Sequence, residues 1–172
     1  FWCVESCFNL LTGVHAAISG YSGGHKANQT YEEVCTGETG HAEVVQIAYD
    51  SSLISYEQLM DVFFFLHDPT QLNRQGNDIG TQYRSVIFFK DEAEKAKAEN
   101  ALKQSELSER WNGTYVTEIT KLEEFFPAEQ YHQGYYEVNP TQPYCSAVVG
   151  PKIAKFKKHY GELGMLRADL NN

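Results

Sequence analysis

The sequence has no apolar run long enough to cross a bilayer. Its most strongly apolar stretch, Val62-Phe63-Phe64-Phe65-Leu66, falls far short of the about 20 residues a spanning helix needs. Positive charge is also scarce. Fourteen Lys and Arg stand against 23 Asp and Glu, a formal charge of −9, too little cation to neutralise a phosphate backbone. Nucleic acid and membrane are therefore not expected partners. Cysteine is sparse, with four at positions 3, 7, 35 and 145 of 172 residues, and the spacings form no disulfide framework. Cys3 and Cys7 would share a helix face, but no His or second Cys pair completes a metal site, so no metal is expected. There is no G-x-G-x-x-G, P-loop or metalloprotease motif, no internal repeat or low-complexity tract, and no visible secretory peptide. The thiols are expected to be free in a reducing cytoplasm. The sequons at Asn28 and Asn112 would matter only in a secreted protein.

What remains is ample for one folded unit. A length of 172 residues, 42% hydrophobic and 22% charged, suits a single domain with its own core. Eleven Tyr, ten Phe and two Trp make 13% of the chain, and many lie in polar, Gly-rich surroundings. Such side chains suit a pocket with one polar end, although most are expected to be ordinary core and turn aromatics. Apolar spacing predicts a helix from Val4 to Leu11 and a strand from Val14 to Ser19. A long polar loop is predicted from His25 to Gly40, then a strand from Glu43 to Tyr49. Ser55 is a fitting N-cap for a helix from Tyr56 to His67, before a second long loop from Asp68 to Gly80. Strands follow at Tyr83–Phe89 and Tyr115–Lys121, on either side of a charged helix from Asp91 to about Glu109. Pro127 is placed to open a short helix through Tyr136, and Asn139–Tyr144 is a Pro-punctuated coil. Pro151 opens a last basic helix to about Tyr160. The order predicts one α+β domain over residues 1–172: a mixed or antiparallel sheet covered by helices, with a C-terminal helical tail over 151–172. The two irregular loops should converge at one end of the sheet and form the active site.

Two segments concentrate chemistry there. Gly37-Glu38-Thr39-Gly40-His41-Ala42-Glu43 sets a carboxylate where loop becomes strand; shelter could keep it protonated, though spacing alone favours a solvated edge Glu. Gln75 to Ser85 puts Asp78, Gln82, Tyr83 and Arg84 in one turn-to-strand segment; the plain reading is a turn in which Asp78 caps its own backbone. His67-Asp68 and Tyr131-His132 leave open a Cys–His hydrolase, against the commoner case of a structural His.

Taken together these residues resemble the methionine sulfoxide reductase A family, the peptide-methionine (S)-S-oxide reductases. The resemblance is carried by Phe1-Trp2-Cys3-Val4-Glu5, Gly20-Tyr21-Ser22-Gly23-Gly24 and Thr30-Tyr31-Glu32-Glu33-Val34-Cys35-Thr36-Gly37. It continues through Thr39-Gly40-His41-Ala42-Glu43, His67-Asp68-Pro69, Arg74 to Ser85 and Tyr131-His132-Gln133, covering about residues 1–145 in constant order. It implies thiol-dependent return of methionine S-sulfoxide, free or in proteins, to methionine. A Cys thiolate attacks the sulfoxide sulfur, a sulfenic acid forms, and a second Cys condenses with it to a disulfide that thioredoxin reduces.

Sulfoxide oxygen leaves poorly until protonated, so such a site needs a proton donor, neutral hydrogen-bond donors and an apolar slot for the S-methyl group. Carried over by motif, Glu43 matches the proton donor, Tyr31 and Tyr83 the phenols that bind the oxygen, and Asp78 the carboxylate that positions substrate and water. Phe1 and Trp2 match the aromatic pair of the methyl pocket, and Cys145 takes the place of the resolving cysteine. Cys3, Cys7 and Cys35 are read as small buried hydrophobes. The family motif is Gly-Cys-Phe-Trp, whose Cys is the nucleophile, whereas this sequence opens at the Phe. The expectation is a Gly-Cys directly upstream; a true loss would leave a sulfoxide-binding module without chemistry. No cofactor, a thioredoxin reductant, a cytoplasmic location and a monomer complete the expectation.

Overall fold

The computed structural model describes residues 2–25 and 30–168; Phe1 and the Asn28 sequon lie outside them. Helix α1 (Trp2–Asn9) leads into strand β1 (Val14–Ser22), which pairs antiparallel with β2 (Ala42–Tyr49) from Val14↔Tyr49 to Ser22↔Ala42. On the other edge, the C-terminal end of β1 pairs antiparallel with β7 (Phe125–Pro127), giving the order β2-β1-β7. Gly20 makes that approach possible: a Cβ there would stand 2.4 Å from the Phe125 ring and 2.5 Å from the Phe126 carbonyl.

Helix α3 (Tyr56–Leu66) begins at the predicted Ser55 cap, which forms a reciprocal capping box with Gln58. A two-residue hairpin, β3 (Arg74–Gln75) and β4 (Asp78–Ile79), follows, then a 3-10 turn at Thr81–Tyr83. Strand β5 (Val86–Phe89) runs parallel to β6 (Glu118–Lys121), joined by the crossover helix α4 (Glu92–Leu107), which Asp91 caps. A short helix α5 (Tyr135–Val138) precedes a π turn at Cys145–Val149 that runs straight into α6 (Gly150–Glu162), with Pro151 in its first turn. An α+β protein with an antiparallel sheet and covering helices is thus what the chain forms.

The main core lies where α1, β1, α3 and α6 meet. Cys7, Phe8, Leu11, Val62, Phe156 and Tyr160 are all but sealed from solvent there. α6 is fastened at its end as well: the Tyr160 hydroxyl donates to Asp61 Oδ2 at 2.8 Å, and Arg110 pairs with the same carboxylate at 3.0 Å. Among the described residues no helix is long and apolar enough to cross a membrane.

Several elements differ from the sequence expectation. The segment predicted as one polar loop contains α2 (Tyr31–Cys35), a single helical turn closed by a Thr30–Glu33 capping box. Pro127 does not open a helix. It ends β7 opposite Gly20, on an edge strand where a residue without an N–H leaves no ladder bond unmade. Tyr83 lies in the 3-10 turn before β5, and β6 is shorter than predicted because residues before Glu118 make side-chain and loop contacts.

Candidate active site

Trp2, Tyr31, Glu43, Asp78, Gln82 and Tyr83 line one cavity of about 630 Å³, within the usual size range for small-molecule sites. They come from five separate places: the start of α1, the start of α2, the second residue of β2, the first of β4 and the 3-10 turn. The β1–β2 ladder puts Glu43 opposite Tyr21, and the turns on either side bring the two tyrosines towards it.

Glu43 is half-buried, and its pKa is raised, first by burial and also by the neighbouring Asp78 carboxylate. A carboxyl so held keeps its proton to higher pH than an exposed Glu. Tyr31 and Tyr83 are pushed up by burial and then by nearby anionic groups, so both stay neutral donors. The two hydroxyls and the Cys35 thiol lie close enough to shift one another's pKa. Asp78 Oδ2 accepts the Tyr144 hydroxyl at 2.7 Å.

Backbone geometry holds these groups in place. The Tyr31 N–H donates to Glu129 Oε1 at 2.9 Å. Gln82, nearly sealed from solvent, donates from Nε2 to the Cys35 carbonyl at 3.2 Å, tying the Tyr83 turn to the end of the Tyr31 helix. Gly80, at φ +148°, lets that side chain fold back; a Cβ there would meet Gln82 Oε1 at 2.3 Å. Arg84 bonds the Gly40 and Thr81 carbonyls, linking the two site loops.

Trp2 forms an aromatic wall. Its indole stacks on Tyr135 at 3.9 Å, meets Tyr144 edge-on at 5.8 Å, and donates from Nε1 to His132 Nδ1 at 3.2 Å. The site therefore combines a sheltered acid, two neutral phenols and an apolar wall. That is the set needed to protonate a polar oxygen while an apolar substituent is held beside it.

Of the residues singled out in the sequence, Trp2, Tyr31, Glu43, Asp78 and Tyr83 share the cavity, and Phe1 lies outside the described residues. Cys145 does not line it. The thiol is sealed from solvent in the π turn, and burial, with a smaller effect from Glu137, raises its pKa. Cys7 is buried and Cys3 half-buried, as small hydrophobes would be; Cys35 is exposed, because it ends a one-turn helix at the rim. Sequence reasoning missed Tyr144, Glu129 and the clamp made by Gln82, whose partners lie from 47 to 98 residues away. No local spacing reports contacts of that range.

The hydrolase reading fails on its histidines. His67 Nδ1 is bonded to the Phe63 carbonyl at 2.6 Å and Nε2 to the Ser85 hydroxyl at 2.7 Å. Burial pushes its pKa down to about 4, and neither nitrogen is left to serve a thiol. His132 Nδ1 is taken by the Trp2 indole. Among the described residues no cluster of three or more His, Cys, Asp or Glu could hold a metal ion.

The sequence profile described as peptide methionine sulfoxide reductase matches residues 1–163. The chain belongs to this family. Among similar reductases is the peptide methionine sulfoxide reductase MsrA of Nautilia profundicola, 54% identical over 158 residues, covering 92% of this chain and 90% of that protein. MsrA of Natronomonas pharaonis is 49% identical over 162 residues, covering 94% and 91%. The reduced form of Mxr1 from Saccharomyces cerevisiae shares the fold with a TM-score of 0.76 at 33% identity, covering 83% of this chain and 82% of that one. Methionine sulfoxide reductase A of Corynebacterium diphtheriae follows with a TM-score of 0.74 at 37% identity, covering 82% and 71%. The cavity that holds Trp2, Tyr31, Asp78 and Tyr83 opens at the start of β2, beside Glu43.

Proposed function

We infer that this chain reduces methionine S-sulfoxide to methionine by thiol chemistry at the β2 cavity. The observation that carries the reading is that Glu43, two neutral phenols near it and Trp2 line the same cavity. In this reading Glu43 gives its proton to the sulfoxide oxygen. Tyr31 and Tyr83 hydrogen-bond that oxygen, Asp78, which holds Tyr144, positions substrate and water, and Trp2 walls the S-methyl group.

A cysteine thiolate attacks the sulfoxide sulfur and forms an S–S bond as Glu43 protonates the oxygen; that S–S bond then breaks towards methionine while the oxygen passes, as hydroxide, to the enzyme sulfur. Methionine leaves, and the enzyme thiol becomes a sulfenic acid. Cys145 then displaces water from the sulfenic acid to give a disulfide, and a dithiol reductant of the thioredoxin type returns both thiols. Residues 1–172 act as one domain, with 151–172 as its C-terminal part, working as a monomer in the cytoplasm. Oxidised proteins or free methionine sulfoxide are its substrates. A binding module without chemistry is not favoured, because the relatives about half identical to this chain over most of its length are reductases.

The test is a dithiothreitol-supported assay on the full natural polypeptide with separated S and R epimers of methionine sulfoxide. Turnover of the S epimer only is expected. No turnover of either epimer by a folded protein would leave the binding module instead.

A further inference from the structure

We propose that His132, oriented by Glu129, is a positioning residue for the reductase step, holding the Trp2 indole in place as the wall of the S-methyl pocket. The proposal rests on the assignment of Trp2 to that pocket. An indole N–H can only donate, so the 3.2 Å bond from Trp2 Nε1 requires a lone pair on His132 Nδ1. The imidazole must then be neutral with its proton on Nε2, which lies 3.4 Å from Glu129 Oε2, within electrostatic reach of that carboxylate though not aligned for a hydrogen bond with it. A carboxylate at one imidazole nitrogen sets which nitrogen accepts at the other.

Glu129 does more than select the tautomer. Its Oε1 accepts the Tyr31 backbone N–H at 2.9 Å and its Oε2 the Tyr21 hydroxyl at 3.3 Å. One carboxylate–imidazole pair thereby places both the wall against the methyl group and the residue that opens the Tyr31 helix. The support beneath it is rigid. Gln133, next to His132, bonds both the N–H and the carbonyl of Ser19 in β1, at 3.1 and 2.8 Å. The imidazole is 2% exposed and is packed between rings, 4.3 Å from Tyr31 and 5.9 Å from Trp2.

This arrangement works only while the imidazole is neutral. The groups facing His132 are the carboxylates of Glu129 and Glu32 and the phenols of Tyr31 and Tyr131. Burial outweighs those carboxylates and keeps its pKa below the ordinary histidine value. Once Nδ1 takes a proton it can no longer accept from the indole. Trp2 then loses its anchor, and sulfoxide binding weakens while the proton donor Glu43 is untouched.

The experiment is single-turnover release of methionine from the S-sulfoxide by the full natural polypeptide, without reductant, from pH 4.5 to 8 over a range of substrate concentrations. In the wild type the half-saturating concentration should rise about tenfold in acid, the size expected for one lost hydrogen bond, while the saturated rate follows only the titration of Glu43, which the His132 variants leave in place. His132→Phe should show that weaker binding at every pH. His132→Asn keeps an acceptor at the δ1 position that cannot titrate, so it should restore most of the binding lost in His132→Phe and show no acid rise. Identical behaviour of the two variants, or an acid rise surviving in His132→Asn, would overturn the proposal. Trp2→Leu separates the two layers of the argument. If it leaves half-saturation unchanged, the pocket assignment itself falls; if it weakens binding but the His132 variants do not, only the positioning role falls.

Discussion

The proton-donor role proposed for Glu43 rests on its surroundings rather than on its own chemistry. Burial and the Asp78 carboxylate raise its pKa, so the protonated form the sulfoxide oxygen needs persists to higher pH than in an exposed Glu. The reductase step should therefore slow as pH rises through that raised pKa. Glu43→Gln should lower single-turnover methionine formation by ~10²–10⁴-fold, the usual worth of a positioned general acid, and abolish this alkaline decline. Near-normal turnover in the variant would remove Glu43 from the role. Cys145 poses the opposite problem, since its thiol is buried and its pKa raised, both unfavourable to thiolate attack. To resolve a sulfenic acid it must leave the π turn. Cys145→Ser is expected to block turnover driven by thioredoxin but not by dithiothreitol, and equal loss with both reductants would contradict a resolving role.

Elements are joined at the site by a few buried polar side chains. Glu5, on α1, is 5% exposed and accepts the Ser19 hydroxyl of β1 and the Gly134 N–H just before α5, both at 2.7 Å. Burial raises its pKa, outweighing those two bonds. A carboxyl that binds its proton more tightly when folded stabilises the fold fully below its unfolded pKa, near 4.3, and that contribution is lost as pH rises through the folded value. Melting temperature measured between pH 4 and 7 should thus fall less steeply in Glu5→Gln than in the wild type. At the start of α3, Ser55→Ala removes one half of the capping box and should cost about 1 kcal/mol in urea unfolding. Loss of well under half that would mean Gln58 alone holds the helix start.

Over the whole molecule, α6 supports the site from behind. Phe156 and Tyr160 are fully buried against α1, β1 and α3, and α1 carries Trp2 at its first turn. Phe156→Ala should destabilise the protein by about 3–5 kcal/mol in equilibrium unfolding, from the transfer and cavity costs of a large aromatic. A change below 1 kcal/mol would show that the helix is dispensable to the core.

Elements with a local code were legible in the sequence. Ser55 and Gln58 cap α3, Asp91 caps α4, and alternation marks β2, because each signal lies within a few residues of what it controls. The α2 turn was missed although Thr30 and Glu33 carry a capping-box spacing, since one helical turn shows no apolar periodicity. Pro127 misled because a proline suits the start of a helix and the edge of a sheet equally, and only pairing with Gly20 distinguishes them. Residue types in order were enough to indicate the family and which acid, phenols and indole to expect, because motif identity travels with the chain. Tertiary structure alone decided that Glu43 is sheltered, that Gln82 ties one tyrosine segment to the other, and that Cys145 is sealed away while Cys35 is not. Those are matters of burial and of contacts between distant residues, and a pKa or an anchored ring exists only once the partners have been brought within hydrogen-bond reach.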